Sequence, residues 1–310
     1  MIITVSLNPA IDKTVYVNQF IPGGLNRVSE TREDPGGKGI NVSKILSLFG
    51  IENIAFGVIA GSNGEKLAES CRAIGLTTAF IRVPGETRTN LKVVDSSSSL
   101  TTEINEPGPA LSEEDLEMIF EKLFSLVKEN DTVVFTGSLP KGAGEDLYYT
   151  WSEKLYDQKH AKIILDASGR PLIKGIDAPI YAVKPNLTEL EQLTGHSLHN
   201  MEEILSAGEL LHRKGVQKTI VSLGSDGAVF ILNGNKYFAE ALQVPVKSTV
   251  GAGDSMVAAL LGCEEKGAGE EESIRTMMAA ASAAVMCAGT DIPPLRSILS
   301  LSGSVKITKL

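Results

Sequence analysis

The 310-residue sequence has few cysteines and no excess of positive charge. Cys71, Cys263 and Cys287 are widely spaced and form no CxxC pair, so they predict reduced thiols rather than a disulfide framework. Lysine and arginine number 29 against 38 aspartates and glutamates, which leaves a net charge of −9. A surface of this charge has no general attraction for nucleic acids or acidic membranes, so any anion site must be a local arrangement.

Signals for metal clusters, membrane segments and secretion are also missing. The four histidines form no HExxH motif and join no cysteine cluster that would indicate zinc. The longest run of small apolar residues, 277–289, is shorter than the ~20 residues that cross a bilayer. The N-terminus lacks the basic region of a signal peptide. With 43% hydrophobic and 22% charged residues, the sequence predicts a globular cytoplasmic protein with no nucleic-acid or membrane partner.

Short β-branched runs predict strands that are buried on both faces. Amphipathic helices lie between most of them, as where Leu116, Ile119 and Leu123 repeat every three or four residues after an acidic start at 112–115. Strands that alternate with helices predict an α/β protein with a mostly parallel sheet. The six predicted strands are 2–5, 54–59, 132–135, 162–165, 180–183 and 219–223.

Two segments, 11–34 and 88–106, depart from this pattern. Both alternate apolar and polar residues, which is typical of antiparallel strands with one solvated face. A polar tip at 96–99 divides the second segment. Neither segment is long enough for a domain, so we expect one domain, 1–310, from which the two segments project together as a small sheet.

The familiar phosphate-binding motifs are absent. No GxxxxGK[ST] occurs, and Gly251-Ala252-Gly253 fails as a dinucleotide fingerprint because Met256 replaces the third glycine, which makes a dehydrogenase the weakest hypothesis. This loop instead precedes a predicted helix, 256–263. Two glycines bring bare N–H groups together, and a helix N-terminus adds partial positive charge. The loop therefore predicts an anion site.

Asp254 follows this loop at the place where the anion would bind. Aspartate is also favoured at a helix start for local reasons alone, which is the alternative interpretation. The adjacent Gly-x-Gly favours a chemical role, because a carboxylate beside an anion site can accept the proton of an attacking hydroxyl. The amides of Gly251, Ala252 and Gly253 would stabilise a transferred phosphoryl group. We expect the helix end to lower the pKa of Asp254.

Other polar residues stand at predicted turns and strand ends. Gly37, Lys38 and Asn41 open a helix and suit a polyol or its phosphate, although a simple glycine turn explains them equally well. Asn186 and Glu189 fit a helix capping box, or alternatively a magnesium shell held through water. Arg88, Asn90 and Lys92 share one strand face, and Ser138, Ser222 and Gly224 lie at the ends of predicted strands.

Five motifs occur in the order and spacing of one known family. They are Asn8-Pro9-Ala10-Ile11-Asp12, Gly36-Gly37-Lys38-Gly39-Ile40-Asn41, Gly137-Ser138-Leu139-Pro140, Lys184-Pro185-Asn186 with Glu189, and Val250-Gly251-Ala252-Gly253-Asp254. Over essentially its whole length the chain resembles the ribokinase-like carbohydrate kinases of the PfkB family. The resemblance implies a three-layer α/β sandwich with a small antiparallel β lid, ATP and Mg²⁺ as cofactors, and a homodimer paired through the lid.

The resemblance also implies a role for each matching position. Asp254 would be the catalytic base, with the amides of Gly251, Ala252 and Gly253 as the anion hole. The sugar phosphate would be held by Asp12, Gly37, Lys38, Asn41, Arg88, Asn90, Lys92 and Ser138. ATP would contact Lys184, Asn186, Ser222, Gly224, Gly251 and Gly253, while Glu189 and Asn186 would hold Mg²⁺ through water.

Within the family, the chain resembles the branch of 1-phosphofructokinases and tagatose-6-phosphate kinases. Segments 87–92 and 102–109 resemble the first group more, which implies transfer from ATP to D-fructose 1-phosphate. D-tagatose 6-phosphate is the alternative substrate. A non-catalytic sugar-phosphate sensor is the alternative of another class, but a sensor would not need Asp254 beside the anion hole.

Overall fold

The computed structural model describes residues 1–98 and 100–310; Ser99, in the polar tip predicted at 96–99, lies outside the described residues. The strands are β1 (Ile2–Ser6), β2 (Ala10–Val17), β3 (Val28–Gly36), β4 (Asn53–Ile59), β5 (Thr78–Arg82), β6 (Arg88–Asp95), β7 (Thr101–Asn105), β8 (Thr132–Thr136), β9 (Lys162–Asp166), β10 (Ala182–Val183), β11 (Lys218–Ser222), β12 (Ala228–Leu232), β13 (Asn235–Ala239) and β14 (Ile307–Lys309). The helices are α1 (Lys38–Leu48), α2 (Gly61–Ala73), α3 (Glu113–Leu126), α4 (Leu147–Lys159), α5 (Gly169–Gly175), α6 (Leu187–Thr194), α7 (Met201–Arg213), α8 (Ala252–Glu265), α9 (Glu270–Val285) and α10 (Leu295–Ser302).

Ten strands form the main sheet in the order β14-β13-β12-β11-β10-β9-β8-β1-β4-β5. The pairings from β5 through β11 are parallel, and those from β11 to β14 are antiparallel. All six predicted strands belong to this sheet, with ends shifted by at most two residues. The mostly parallel α/β fold is therefore confirmed.

Helices cover both faces of the main sheet, because its central strands carry apolar side chains on both sides. Helices α3 to α7 pack on one face around Tyr148 and Leu190, and α1, α8, α9 and α10 pack on the other around Leu46 and Met277. Each of these four side chains is fully buried. The result is the predicted three-layer arrangement.

The two segments predicted to project from the domain form a separate four-stranded sheet in the order β3-β2-β6-β7, which we call the lid. Each segment supplies one antiparallel hairpin, β2–β3 and β6–β7. The two hairpins meet along β2 and β6, and this central pairing is parallel. One face of the lid carries the cluster of Val15, Val17 and Val93, so the alternation in the sequence does mark an apolar and a polar face.

Strand β1 pairs with β4 on one side and β8 on the other, so the chain leaves this position in both directions. In open α/β sheets such a switch point leaves a crevice at the carboxyl ends of the strands. The lid faces this edge. Among the described residues, no helix has the length and apolar character needed to cross a membrane.

Candidate active site

A cavity of about 940 Å³ lies between the carboxyl edge of the main sheet and the lid. All of the site residues assigned from sequence line it. These are Asp12, Gly37, Lys38, Asn41, Arg88, Asn90, Lys92, Ser138, Lys184, Asn186, Glu189, Ser222, Gly224, Gly251, Ala252, Gly253 and Asp254. The structure thus brings together positions that are up to 242 residues apart in sequence (254 − 12), while the role of each one remains a prediction.

The predicted anion loop is the start of helix α8. Gly251 has a φ of 82° and is the N-cap residue, so the left-handed turn there needs glycine. The helix begins at Ala252, four residues before the predicted start at Met256, because the left-handed cap lets the small residues after it enter the helix directly. Among the described residues, none accepts a hydrogen bond from the amides of 251–254. These N–H groups are therefore available to an anion in the cavity.

Asp254 lies in the first turn of α8 and is only 5% exposed. Its Oδ2 atom accepts a hydrogen bond from Asn41 Nδ2 at 2.8 Å. Burial raises the pKa of Asp254 to about 6, although Lys38 and Asn41 favour the ionised form. The expectation of a lowered pKa was therefore wrong, because loss of water around the carboxylate outweighs the helix end.

Asp166, at the end of β9, is a site residue that the sequence analysis missed. Its Oδ1 atom lies 3.1 Å from Lys38 Nζ and 3.4 Å from Lys184 Nζ, and its side chain is fully buried. Burial alone would raise the pKa of Asp166, but the two ammonium groups lower it overall. The available signal was its place directly after a buried β-branched run, where ligands bind in such sheets.

The Asp166 carboxylate holds the ammonium groups of Lys38 and Lys184 beside each other in the cavity. Burial lowers the pKa of Lys38, but Asp166, Asp254 and Glu189 raise it more, so Lys38 is a cation. A Cβ atom at Gly253 would lie 2.9 Å from Lys184 Nζ. The glycine therefore lets the anion loop approach this ammonium closely, which concentrates positive charge where a phosphoryl group would lie.

The lid supplies a polar wall opposite the helix. Asn90 Nδ2 donates to Asp12 Oδ1 at 3.0 Å, and Lys92 Nζ lies 3.7 Å from Asp12 Oδ2. Arg88 donates to the Asn8 carbonyl oxygen at 3.1 Å and to Ser138 Oγ at 3.4 Å. Cations, amides and a carboxylate on one wall suit a ligand with both hydroxyl and phosphate groups.

The opposite end of the cavity combines a polar rim with an apolar wall. Asn186 caps α6 in a capping box with Glu189: the Asn186 amide donates to Glu189 Oε2 at 2.9 Å, and the Glu189 amide donates to Asn186 Oδ1 at 2.8 Å. Ser222 and Gly224 lie beside it at the turn after β11. The sequence analysis missed the apolar wall, which suits a planar base. It includes Leu242, Val244, Val246, Met278 and Val285.

Together, the switch-point crevice, the anion loop and its buried carboxylate define the class of α/β phosphotransferases. The family model "pfkB family carbohydrate kinase" matches residues 5–297. The chain belongs to this family of carbohydrate kinases, as the resemblance implied.

Individual relatives agree with the family match. The chain is 37% identical to the 1-phosphofructokinase of Bacillus subtilis over 310 residues, which is 100% of both chains. It is 36% identical to the tagatose-6-phosphate kinase of Staphylococcus epidermidis over 264 residues, 84% of each. Among solved structures, phosphofructokinase-2 from Escherichia coli in complex with substrates and products matches with a TM-score of 0.93 at 28% identity, over 98% of each chain. These proteins identify the chain as a sugar-phosphate kinase.

Proposed function

We propose that this protein transfers the γ-phosphoryl group of ATP to the 6-hydroxyl of D-fructose 1-phosphate, giving D-fructose 1,6-bisphosphate and ADP. The observation that carries the proposal is the buried Asp254 carboxylate beside unpaired helix amides, in the cavity where lid and sheet meet. The relatives named 1-phosphofructokinase, at 31–39% identity, support the choice of substrate.

In this reaction the sugar O6 forms a bond to the γ-phosphorus while the bond to the bridging oxygen of ADP breaks. Asp254 takes the proton of the hydroxyl, and a carboxylate with a pKa of about 6 is mostly ionised at neutral pH and able to do so. The N–H groups of 251–253 stabilise charge on the moving phosphoryl group. No covalent intermediate with the protein is needed, because the two substrates approach from opposite ends of one cavity.

Lys38 and Lys184 offset the phosphate charge at the point of transfer. Their shared partner, Asp166, keeps both ammonium groups in place before ATP binds. The lid covers the sugar end through Asp12, Asn90 and Lys92, and exclusion of water there prevents hydrolysis of ATP.

Magnesium fits the ATP end through bound water rather than through direct ligands. Among the described residues, no group of three or more histidine, cysteine or acidic side chains is arranged to hold a metal. In the capping box, Asn186 Oδ1 and Glu189 Oε2 each accept a backbone N–H, which leaves Glu189 Oε1 to accept from a hydrated ion. Mg²⁺ keeps several waters when it binds with nucleotide phosphates, where it offsets their charge.

A coupled ADP-release assay over a panel of hexose phosphates tests the function. We expect the highest kcat/KM with D-fructose 1-phosphate. A preference for D-tagatose 6-phosphate would reverse the choice of substrate within the same chemistry. The sensor hypothesis would instead be supported if calorimetry showed that a sugar phosphate binds, while no sugar phosphate of the panel caused ADP to form from ATP.

The lid further supports a homodimer, as the family resemblance implied. Its strands and connecting loops carry large apolar side chains that are at least 48% exposed: Ile21, Leu25, Val28, Leu100 and Ile104. One solved structure of E. coli phosphofructokinase-2 is a tetrameric inhibited form. A second copy of this chain is therefore the partner we assign to the lid. Light scattering tests this assignment: Leu25→Asp in the lid should reduce the dimer to a monomer, whereas Leu299→Asp, at an exposed leucine of α10, should leave the dimer intact.

A further inference from the structure

Lys44 is a buried lysine of α1 to which neither the sequence analysis nor the proposed mechanism gives a role. Only 4% of the residue is exposed. Its Nζ atom donates to the Pro35 carbonyl oxygen at 2.6 Å, to Thr290 Oγ1 at 3.2 Å and to the Thr290 carbonyl oxygen at 3.3 Å. Lysine is almost never fully buried unless its donors are paired, and here all three N–H groups of an ammonium have acceptors.

A fourth oxygen beside this ammonium belongs to Asn41, one helical turn earlier. Lys44 Nζ lies 3.4 Å from Asn41 Oδ1, while Asn41 Nδ2 donates to Asp254 Oδ2 at 2.8 Å. The amide thus has a cation at its oxygen end and a carboxylate at its nitrogen end. A flipped amide would place two donors against each other at Lys44 and two acceptors against each other at Asp254, so Lys44 and Asp254 together select the orientation in which the N–H faces the carboxylate.

The same ammonium joins the lid to the loop of the anion hole. Pro35 belongs to β3 of the lid, and Thr290 belongs to the segment 286–291 after α9. That segment meets Val250 and Gly251 around a small cavity that Lys44 also lines. Arg32 of β3 makes a second connection, since its guanidinium pairs with both Asp34 and Asp291.

We propose that Lys44 is a positioning residue for phosphoryl transfer, which holds the Asn41 amide with its N–H toward Asp254 and fastens lid strand β3 to segment 286–291. The proposal rests on the proposed function only in treating Asp254 as the base. It goes beyond that function in assigning control of the base to a residue that reaches no substrate. Loss of the ammonium removes one of the two groups that orient the amide, and so weakens a hydrogen bond that favours ionised Asp254.

The other charged groups around Asp254 are the same in the wild type and in a variant that lacks the Lys44 ammonium. Lys38 from α1 and Lys184 from the end of β10 favour the ionised carboxylate, and Asp166 from β9 opposes it. Around Lys44, burial lowers the pKa of the ammonium overall, although Asp34, Cys71, Asp12 and Asp254 act in the opposite direction. None of these groups is altered when Lys44 alone is replaced.

The test is Lys44→Met, which keeps an unbranched apolar stem of the same length as the lysine stem and removes the ammonium. The midpoint of Asp254 ionisation, followed by carboxyl-carbon NMR, should move up by about half a pH unit or more. The acid limb of kcat should move with it, while KM for both substrates changes less than kcat. The control is Lys162→Met, which removes an ammonium 3.2 Å from Glu264 at the other end of α8 and should leave both pH midpoints unchanged.

A double substitution separates positioning from a general effect of charge. In an Asn41→Ala background, Lys44→Met should lose most of its effect on the Asp254 midpoint, because the amide that transmits it is gone. If Lys44→Met does not fold, Lys44→Gln takes its place in the test. Glutamine retains a donor of similar reach, so we expect a smaller shift in the same direction. An unchanged midpoint in Lys44→Met or, in its place, Lys44→Gln would overturn the proposal, as would a full shift that persists without the Asn41 amide. Because NMR needs no turnover, an inactive wild type would overturn the proposed function alone.

Discussion

Asp254 combines burial with a hydrogen bond from one neutral amide, and this combination sets the pH at which it ionises. Most charge near it comes from Lys38, Lys184 and Asp166, which partly cancel. The carboxylate is therefore basic enough to accept a proton near neutral pH, yet it remains ionised there.

The first prediction at this scale concerns Asp254→Asn. We expect kcat to fall by about 10²–10⁴-fold, because the base is lost, while ATP affinity stays nearly unchanged. In the wild type, kcat should fall as the pH drops through about 6, since protonated Asp254 cannot accept the proton of the hydroxyl. Steady-state rates from pH 5 to 8 and ATP calorimetry measure both effects, and substantial retained turnover would contradict the assignment.

A substitution of Gly36, at the end of β3, should change KM for the sugar phosphate and leave KM for ATP unchanged. A Cβ atom there would lie 2.5 Å from the carboxyl carbon of Asp12, so Gly36→Ala displaces that carboxylate. KM for the sugar phosphate should rise several-fold while KM for ATP stays the same. Gly303→Ala is the matched control, because nothing lies within 4 Å of its added methyl group. Equal changes in both KM values would show that the lid wall does not hold the sugar.

At the element scale, the capping box of α6 has a counterpart in α3. Asn186 with Glu189 and Ser112 with Asp115 make the same pair of reciprocal hydrogen bonds. Only the first pair lines the cavity. A cap is thus a sufficient reason for these residues in α3, and α6 adds a carboxylate that also lines the cavity.

Glu189→Gln separates the two roles, because glutamine also serves at the third position of a capping box. We expect the melting temperature to stay within a few degrees, whereas the Mg²⁺ concentration for half-maximal activity rises several-fold. Asp115→Asn is the control in the other box and should leave the Mg²⁺ dependence unchanged. A Mg²⁺ titration of Glu189→Gln that overlays the wild type would reduce Glu189 to a cap.

At the scale of the whole molecule, the buried carboxylate of Asp254 lowers the stability of the fold. Its pKa is about 6 in the folded state against 3.8 for an unperturbed aspartate, so between these two pH values the folded chain holds a proton that the unfolded chain has lost. The free energy of unfolding therefore falls as the pH rises from about 4 to 6, and the loss persists above that range. The shift corresponds to about 3 kcal/mol.

Asp254→Asn should consequently be more stable than the wild type at pH 8, by about 2–3 kcal/mol. Near pH 4 the difference should shrink to a small fraction of this value, because the folded carboxyl is then protonated and the unfolded carboxyl is about half protonated. Urea unfolding at the two pH values measures this. A variant that is less stable than the wild type at pH 8 would show that Asp254 is better solvated or better paired than its 5% exposure indicates.

The sequence by itself determined many of the elements and most of the polar residues that line the cavity. Local periodicity marks strands such as β1 and β8 and the two lid hairpins, because alternation and buried runs reflect nearest neighbours along the chain. Glycines and polar residues at turns identified the anion loop and Asp254. The capping boxes are equally local, since their partners are three residues apart.

Only the tertiary structure decided what depends on contacts between distant segments. The parallel pairing of β2 with β6, along which the two lid hairpins meet, is one such contact. The ion pairs of Asp166 with Lys38 and Lys184, and the hydrogen bond of Lys44 with Thr290, likewise join distant segments. The raised pKa of Asp254 also depends on contacts between distant segments, because the burial that causes it is a property of the assembled fold and not of the residues around Asp254 in sequence.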